Sequence, residues 1–231
     1  MFYLIFLILA LSIYIIGVFF LKTPPNIKLV NAVCVISTFI LYLALVVYVY
    51  FDAGIDDWNF KNVLPTANVS PFIFCLAPLI LVMPSKLKPL FKTLISLLSV
   101  GMLLSAVFGC IFNAYRNYAF HIHFLFDYVA HLIISFWGVY LVKSKQVKLN
   151  LKSILFGGAI IVTVALIMLF INLVFDTAFF GLNLNGKHNI YNVVLTSSSI
   201  LNAILYFIGL TAVLWLGALY CKTISKITKI N

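Results

Sequence analysis

All but three of the 15 Lys and Arg side chains fall in every second gap between seven apolar stretches, while the five Asp and four His lie toward the opposite side. A membrane-spanning helix needs about 20 apolar residues. Seven such runs read along the chain: Phe2–Leu21, Leu29–Phe51, Leu64–Met83, Thr93–Asn113, His123–Val142, Ile154–Phe175 and Val194–Tyr220. One set of gaps holds Lys22 and Lys28, then Lys86, Lys88 and Lys92, then Lys143, Lys145, Lys148 and Lys152, then Lys222, Lys226 and Lys229. The other set holds Lys61, Arg116 and Lys187. Lys/Arg bias in short loops sets which side of a bilayer each loop occupies. Twelve cations against three predict an all-α polytopic membrane bundle of about seven transmembrane helices, N-terminus outside and C-terminus cytoplasmic. Miscounting by one span would scramble the alternation, so hydropathy and charge support the same count.

Composition excludes the main alternatives. Only 9% of the residues are charged and 65% are hydrophobic, whereas soluble domains carry roughly 25% charged residues. The net charge of +10 is spread singly between apolar runs and forms no stripe with stacking aromatics, which argues against a nucleic-acid partner. The expected partner is the lipid bilayer, with anionic headgroups facing the basic rim. The first run lacks a basic leader and a small-residue cleavage site, so it reads as a retained anchor. Cys34, Cys75, Cys110 and Cys221 have no paired metal-site spacing and predict no disulfide framework. The whole chain, 1–231, reads as a single integral membrane domain.

Two spans carry local irregularities. The third contains Pro65, Pro71 and Pro78, with Thr66, Asn68 and Ser70 in its outer half. Each internal proline removes a backbone donor and crowds the preceding turn, and irregular backbone at membrane depth needs protein or a wet cavity around it. A kinked or partly unwound helix is expected there, lining an outward-facing cavity or simply packing. In the fourth span Gly101, Ser105 and Gly109 recur every four residues, followed by Asn113, a stripe that lets helix backbones approach closely in lipid. Tyr48, Tyr50, Phe51, Trp58, Tyr115, Tyr118, Phe179 and Phe180 fit an interfacial belt at the outer boundary.

The residues with chemical potential gather in the fifth span. His123, Asp127, His131 and Ser135 recur at intervals of four and share one helical face. At 1.5 Å per residue, His131 lies roughly 12 Å deeper than His123. Ionisable groups at that depth are costly and usually face the bundle interior. Asp127 is placed to accept a hydrogen bond from an imidazole nitrogen and orient the ring as a general base. Asn172 and Asp176 end the sixth span, and the following loop brings Asn183, Asn185, Lys187, His188, Asn189 and Tyr191 to the same side, with Asn202 one turn or so into the seventh span.

Three readings stay open. A hydrolase or transferase would use His131 and Asp127 as base and orienter, with Cys75, Cys110, Ser70 or Thr66 as nucleophile. A metal centre would draw on His121, His123, Asp127, His131 and His188, although no standard zinc signature has this spacing and none is expected. A packing network, or a binding or transport cavity without chemistry, completes the set. No cofactor is indicated.

Leu64-Pro65, Phe124–His131 and Gly186–Asn192 resemble segments of the YwaF-like bacterial integral membrane proteins and their eukaryotic transmembrane relatives. The matching residues are Leu64, Pro65, His131, Gly186, Asn189 and Tyr191. The resemblance implies a multi-helix membrane protein and, for the eukaryotic branch, thioester-type acyl transfer by Cys and His. His131 carries over. The expected Cys position falls near Val69 and the nearest thiol, Cys75, lies further along, so the family's nucleophile does not carry over and Cys75 remains a candidate only on the residue reading above.

The resulting expectation is a multi-pass cell-membrane protein of bacterial type. A polar pocket toward the outer leaflet would bind a lipid or small molecule through His123, Asn172, Asp176, His188, Asn189 and Tyr191. A membrane-embedded acyltransferase or hydrolase built on His131–Asp127, and a transporter, are the alternatives.

Overall fold

The computed structural model describes residues 2–20, 26–53, 69–115, 122–175 and 199–227, and every regular element among them is helical. The helices are α1 (Phe2–Phe20), α2 (Ile27–Ala53), α3 (Val69–Leu76), α4 (Leu79–Val82), α5 (Lys88–Tyr115), α6 (Ile122–Lys143), α7 (Leu151–Phe175) and α8 (Ser199–Ile227). Six of them, all but α3 and α4, are long and apolar enough to cross a membrane.

The third apolar run does not form one helix. It breaks at Ala77 and Pro78 into α3 and α4, because Pro78 has no N–H for the Phe74 carbonyl and its ring crowds that turn. The interruption is short: Ala77 N–H still bonds to Ile73 O at 2.9 Å and Ile80 N–H to Ala77 O at 3.2 Å. Pro71 lies buried within α3.

Local chemistry sets the other boundaries. Asn26 Oδ1 accepts the Leu29 N–H (3.0 Å) ahead of α2, and Asn150 Oδ1 accepts the Ser153 N–H (2.8 Å) at the start of α7. Such caps satisfy donors that a helix start leaves open. At the end of α6, Gln146 N–H bonds to Leu141 O (2.9 Å) and Lys145 N–H to Val142 O (3.1 Å). Lys145 there adopts φ 60°. This is the left-handed helix stop that glycine usually occupies.

α6 is the central helix: 61% of its spanning stretch is buried, against 22% for α1, α7 and α8. Trp137, Ile134 and Leu141 of α6 pack with Phe74 of α3, Ile95 and Leu97 of α5 and Val35 of α2 to form the core. The outer faces remain apolar, with Ile8 and Ile13 of α1, Phe51 of α2 and Phe170 of α7 exposed. A bundle sheathed in hydrocarbon side chains fits lipid, not water.

Glycines tighten two helix contacts around α5. A Cβ on Gly138 would lie 2.7 Å from Ser99 Cβ and 2.8 Å from Ile95 O, and one on Gly217 would lie 1.9 Å from Leu97 O. The stripe expected in α5 divides instead of seating one partner. Gly101 faces Val213 of α8, Gly109 faces Tyr128 of α6, and Ser105 is exposed.

Side-chain contacts align the helix ends. Lys143 Nζ donates to Val18 O at the end of α1 (3.2 Å), and Asn31 near the start of α2 bonds to Trp137 and Gln146. Lys92 in α5 also reaches Gln146, Gly157 in α7 faces Thr93 and Leu97, and Cys221 near the end of α8 meets Ser99. The starts of α2, α5 and α7 therefore lie with the ends of α1, α6 and α8. The described lysines gather at that end, while Asp52 and Asp127 stand toward the other.

Candidate functional site

His131 is 5% exposed in the middle of α6. Its Nδ1 lies 2.8 Å from the Asp127 carbonyl oxygen and 3.3 Å from Asp127 Oδ1. A carbonyl oxygen only accepts, so Nδ1 carries the proton, and in the neutral ring Nε2 is the basic nitrogen. Phe74 of α3, fully buried, stands edge-on to the imidazole with ring centroids 5.0 Å apart and planes at 89°. Phe74 also packs against Tyr42 of α2 at 6.2 Å. The interrupted third run thus places a rigid aromatic wall against His131, held from behind by α2.

Asp127 is the partly open member of the pair, its side chain 31% exposed. Deeper on the same face, the buried Ser135 Oγ is 2.8 Å from Tyr14 Oη of α1, and Tyr14 Oη in turn bonds to Tyr220 Oη of α8. The expected face of α6 is therefore real from Asp127 to Ser135, and its lower half is tied to α1 and α8. Nearer the start of α6, His123 lies between aromatic rings, 5.5 Å from Tyr48 and 4.2 Å from Phe124. Asn113 of α5 donates to Tyr128 Oη, and Asn172 is buried near the end of α7.

The candidate nucleophiles scatter. Cys75 is half-buried beside Phe74, and Cys110 is buried within Coulombic reach of Asp127. Among the described residues His131 bonds to Asp127, and Cys75, Cys110 and Ser70 make no hydrogen bond to it. Asp176, His188, Asn189 and Tyr191, with His121 and Thr66, lie outside the described residues, as does the Asn202 side chain. Among the described residues no three His, Cys, Asp or Glu side chains are grouped to hold a metal.

A second polar cluster, at the lysine-bearing end, was not legible from spacing. Trp137 Nε1–H donates to Asn31 Oδ1 (2.9 Å), Asn31 Nδ2 donates to Gln146 Oε1 (2.7 Å), and Lys92 Nζ donates to that same oxygen (2.7 Å). Gln146 Nε2 completes the knot on Ser144 Oγ at 2.8 Å. Nearby, Ser99 Oγ meets Cys221 Sγ at 3.0 Å, and Ser96 Oγ donates to Gly138 O at 3.1 Å. The available signal was an indole and an amide set in otherwise apolar runs, each of which needs a partner once buried.

Comparison with protein-family models, with curated proteins and with solved structures gives no match. The chemistry of the site rests on its own geometry. It offers an imidazole oriented by backbone and carboxylate, an aromatic wall, and a hydroxyl chain beneath.

Proposed function

We propose that the chain is a seven-crossing cell-membrane protein, N-terminus outside, whose outer half binds a lipid or small molecule at His131 and Asp127. The observation that carries the reading is the buried ring of His131: Nδ1 is committed to Asp127, which leaves Nε2 to accept a hydrogen bond from a ligand. Buried ionisable groups in a bilayer are costly and by default mark ligand sites. The seventh crossing is supported by the helix ends. α2 finishes at the end bearing Asp52 and α5 begins at the end bearing Lys92, which supports a return passage through the segment holding α3 and α4. The cytoplasmic assignment of the lysine-bearing end follows from the charge bias.

In this reading His123 and Asn172, together with Asp176, His188, Asn189 and Tyr191, complete the binding surface, and kinship with the YwaF-like proteins belongs to the same proposal. The test is mass spectrometry of small molecules and lipids retained by detergent-purified protein. The wild type is expected to retain a species that His131→Gln loses while keeping its helix content and yield. An identical set of retained species in both would overturn the site.

Base catalysis is the second reading, favoured by the tautomer: an imidazole with Nδ1–H held by an acceptor presents Nε2 as a base. Cys75 would have to approach His131 for acyl transfer. Labelling of Cys75 by a thioester probe, lost in His131→Gln, would support that reading, and labelling unchanged in the variant would remove it.

A further inference from the structure

Among the described residues, the lysine-bearing end holds none of the carboxylates that its own electrostatics calls for. Helices α2, α5 and α7 all start there, and a helix start carries the positive end of the macrodipole, which favours Asp or Glu in the first turn. None of the three has an acidic residue in its first turn, and Lys28, Lys88 and Lys152 occupy those turns instead. The two Asp of the described residues, Asp52 and Asp127, stand toward the far end.

Among the described residues, Lys88 and Lys92 bond to neutral oxygens. Lys88 Nζ donates to Leu81 O at 3.3 Å, Lys143 Nζ to Val18 O at 3.2 Å, and Lys92 Nζ to Gln146 Oε1 at 2.7 Å. Lys88 and Lys92 sit one turn apart on α5 and repel one another. The Asn31–Gln146–Ser144 knot clamps Lys92 in place, so its ammonium is a fixed charge with donor capacity to spare.

The geometry points to a binding site for the phosphodiester headgroup of an anionic phospholipid, built on Lys88 and Lys92 at the start of α5 and backed by Gln146. A phosphate oxygen supplies the anion that both the helix start and the paired lysines lack. The bilayer delivers it at this depth, since juxtamembrane lysines draw acidic lipids from the adjoining leaflet. The site does not depend on which side of the membrane this end faces.

The test is thermal unfolding of the full chain in neutral detergent, titrated with phosphatidylglycerol, with phosphatidylcholine, or with inorganic phosphate. Phosphatidylglycerol is expected to raise the midpoint, an effect that weakens with added salt, and the other two are expected to leave it unchanged. Lys88→Gln, which leaves the Gln146 knot intact, is expected to weaken the lipid response about fivefold, and the double variant Lys88→Gln/Lys92→Gln to abolish most of it. Asp52→Asn, at the far end, should respond like the wild type. Equal stabilisation by phosphatidylcholine, a full response in Lys88→Gln, or a shift produced by inorganic phosphate alone would each overturn the lipid site. A Lys88→Gln protein whose midpoint without lipid matches the wild type separates lost binding from lost folding.

Discussion

The imidazole of His131 hangs from the backbone of Asp127 one helical turn earlier, its Nδ1 nearer that residue's carbonyl oxygen (2.8 Å) than its carboxylate (3.3 Å). The backbone therefore sets the tautomer, and the half-open carboxylate adds charge on top. Asp127→Asn keeps the carbonyl and should cost about 1 kcal/mol, the net worth of a single hydrogen bond. His131→Ala empties a buried volume against Phe74 and should cost about 2–3 kcal/mol. Unfolding followed in detergent checks both, and equal losses would mean that the carboxylate, not the carbonyl, holds the ring.

Close helix contacts give the second expectation. Gly138→Ala and Gly217→Ala drive a methyl group into the backbone of α5, at 2.8 Å from Ile95 O and 1.9 Å from Leu97 O. Each should lose about 2 kcal/mol or more, as overpacking does. Gly209 has nothing within 4 Å of the same methyl position. Gly209→Ala should leave stability unchanged or raise it by up to about 1 kcal/mol through helix propensity. A similar loss at all three positions would argue against the close approach of α5 to α6 and α8.

Tyr14 joins three helices through one hydroxyl, bonded to Ser135 Oγ of α6 at 2.8 Å and to Tyr220 Oη of α8. Tyr14→Phe leaves both partners short of a bond and should cost about 1–2 kcal/mol. Ser135→Ala should add little once Tyr14 is Phe, because the two share one interaction. Additive losses in the double variant would separate them.

How far the sequence speaks depends on the kind of physics involved. The gathering of lysines at one end and Asp at the other was legible because a bilayer sorts charge along a single axis, which spacing in the chain tracks directly. The break in the third run was legible too, since Pro78 acts on its own turn. His131 and Asp127 are neighbours on one helix, so their pairing followed from the period of four. Contacts between helices were not available in this way. Nothing in the spacing of Asn31, Lys92, Trp137 and Gln146 says that α2, α5 and α6 converge there, nor that Tyr14 meets Tyr220 across 206 positions. The same gap left two glycines unseen: regular spacing drew attention to Gly101 and Gly109, which seat side chains of α8 and α6, while the tightest backbone contacts fall on Gly138 and Gly217.

Lys145 offers a stabilising change. It holds φ 60° in the stop after α6 and is exposed, and a side chain with a Cβ pays about 1 kcal/mol there that glycine does not. Lys145→Gly should raise stability by roughly 0.5–1 kcal/mol. A lower unfolding midpoint would mean that the ammonium, not the backbone angle, dominates at this turn.

The same turn decides the number of crossings. Asp52 ends α2 and Lys145 follows α6, both are exposed, and they lie toward opposite ends of the bundle. Between them the chain contains α5, α6 and the short pair α3 and α4. If the short pair crosses the bilayer, three passages separate the two positions and they face opposite sides. If it does not, two passages separate them and they face the same side. In a Cys75→Ser background, where the remaining thiols Cys34, Cys110 and Cys221 are buried, a membrane-impermeant maleimide applied to intact cells should label Asp52→Cys and spare Lys145→Cys, with the pattern reversed on inverted vesicles. Labelling of both variants from one side would remove the third crossing. Labelling of Lys145→Cys alone from outside would keep the crossing and invert the protein against its own charge bias, the one arrangement that the lysine distribution should forbid.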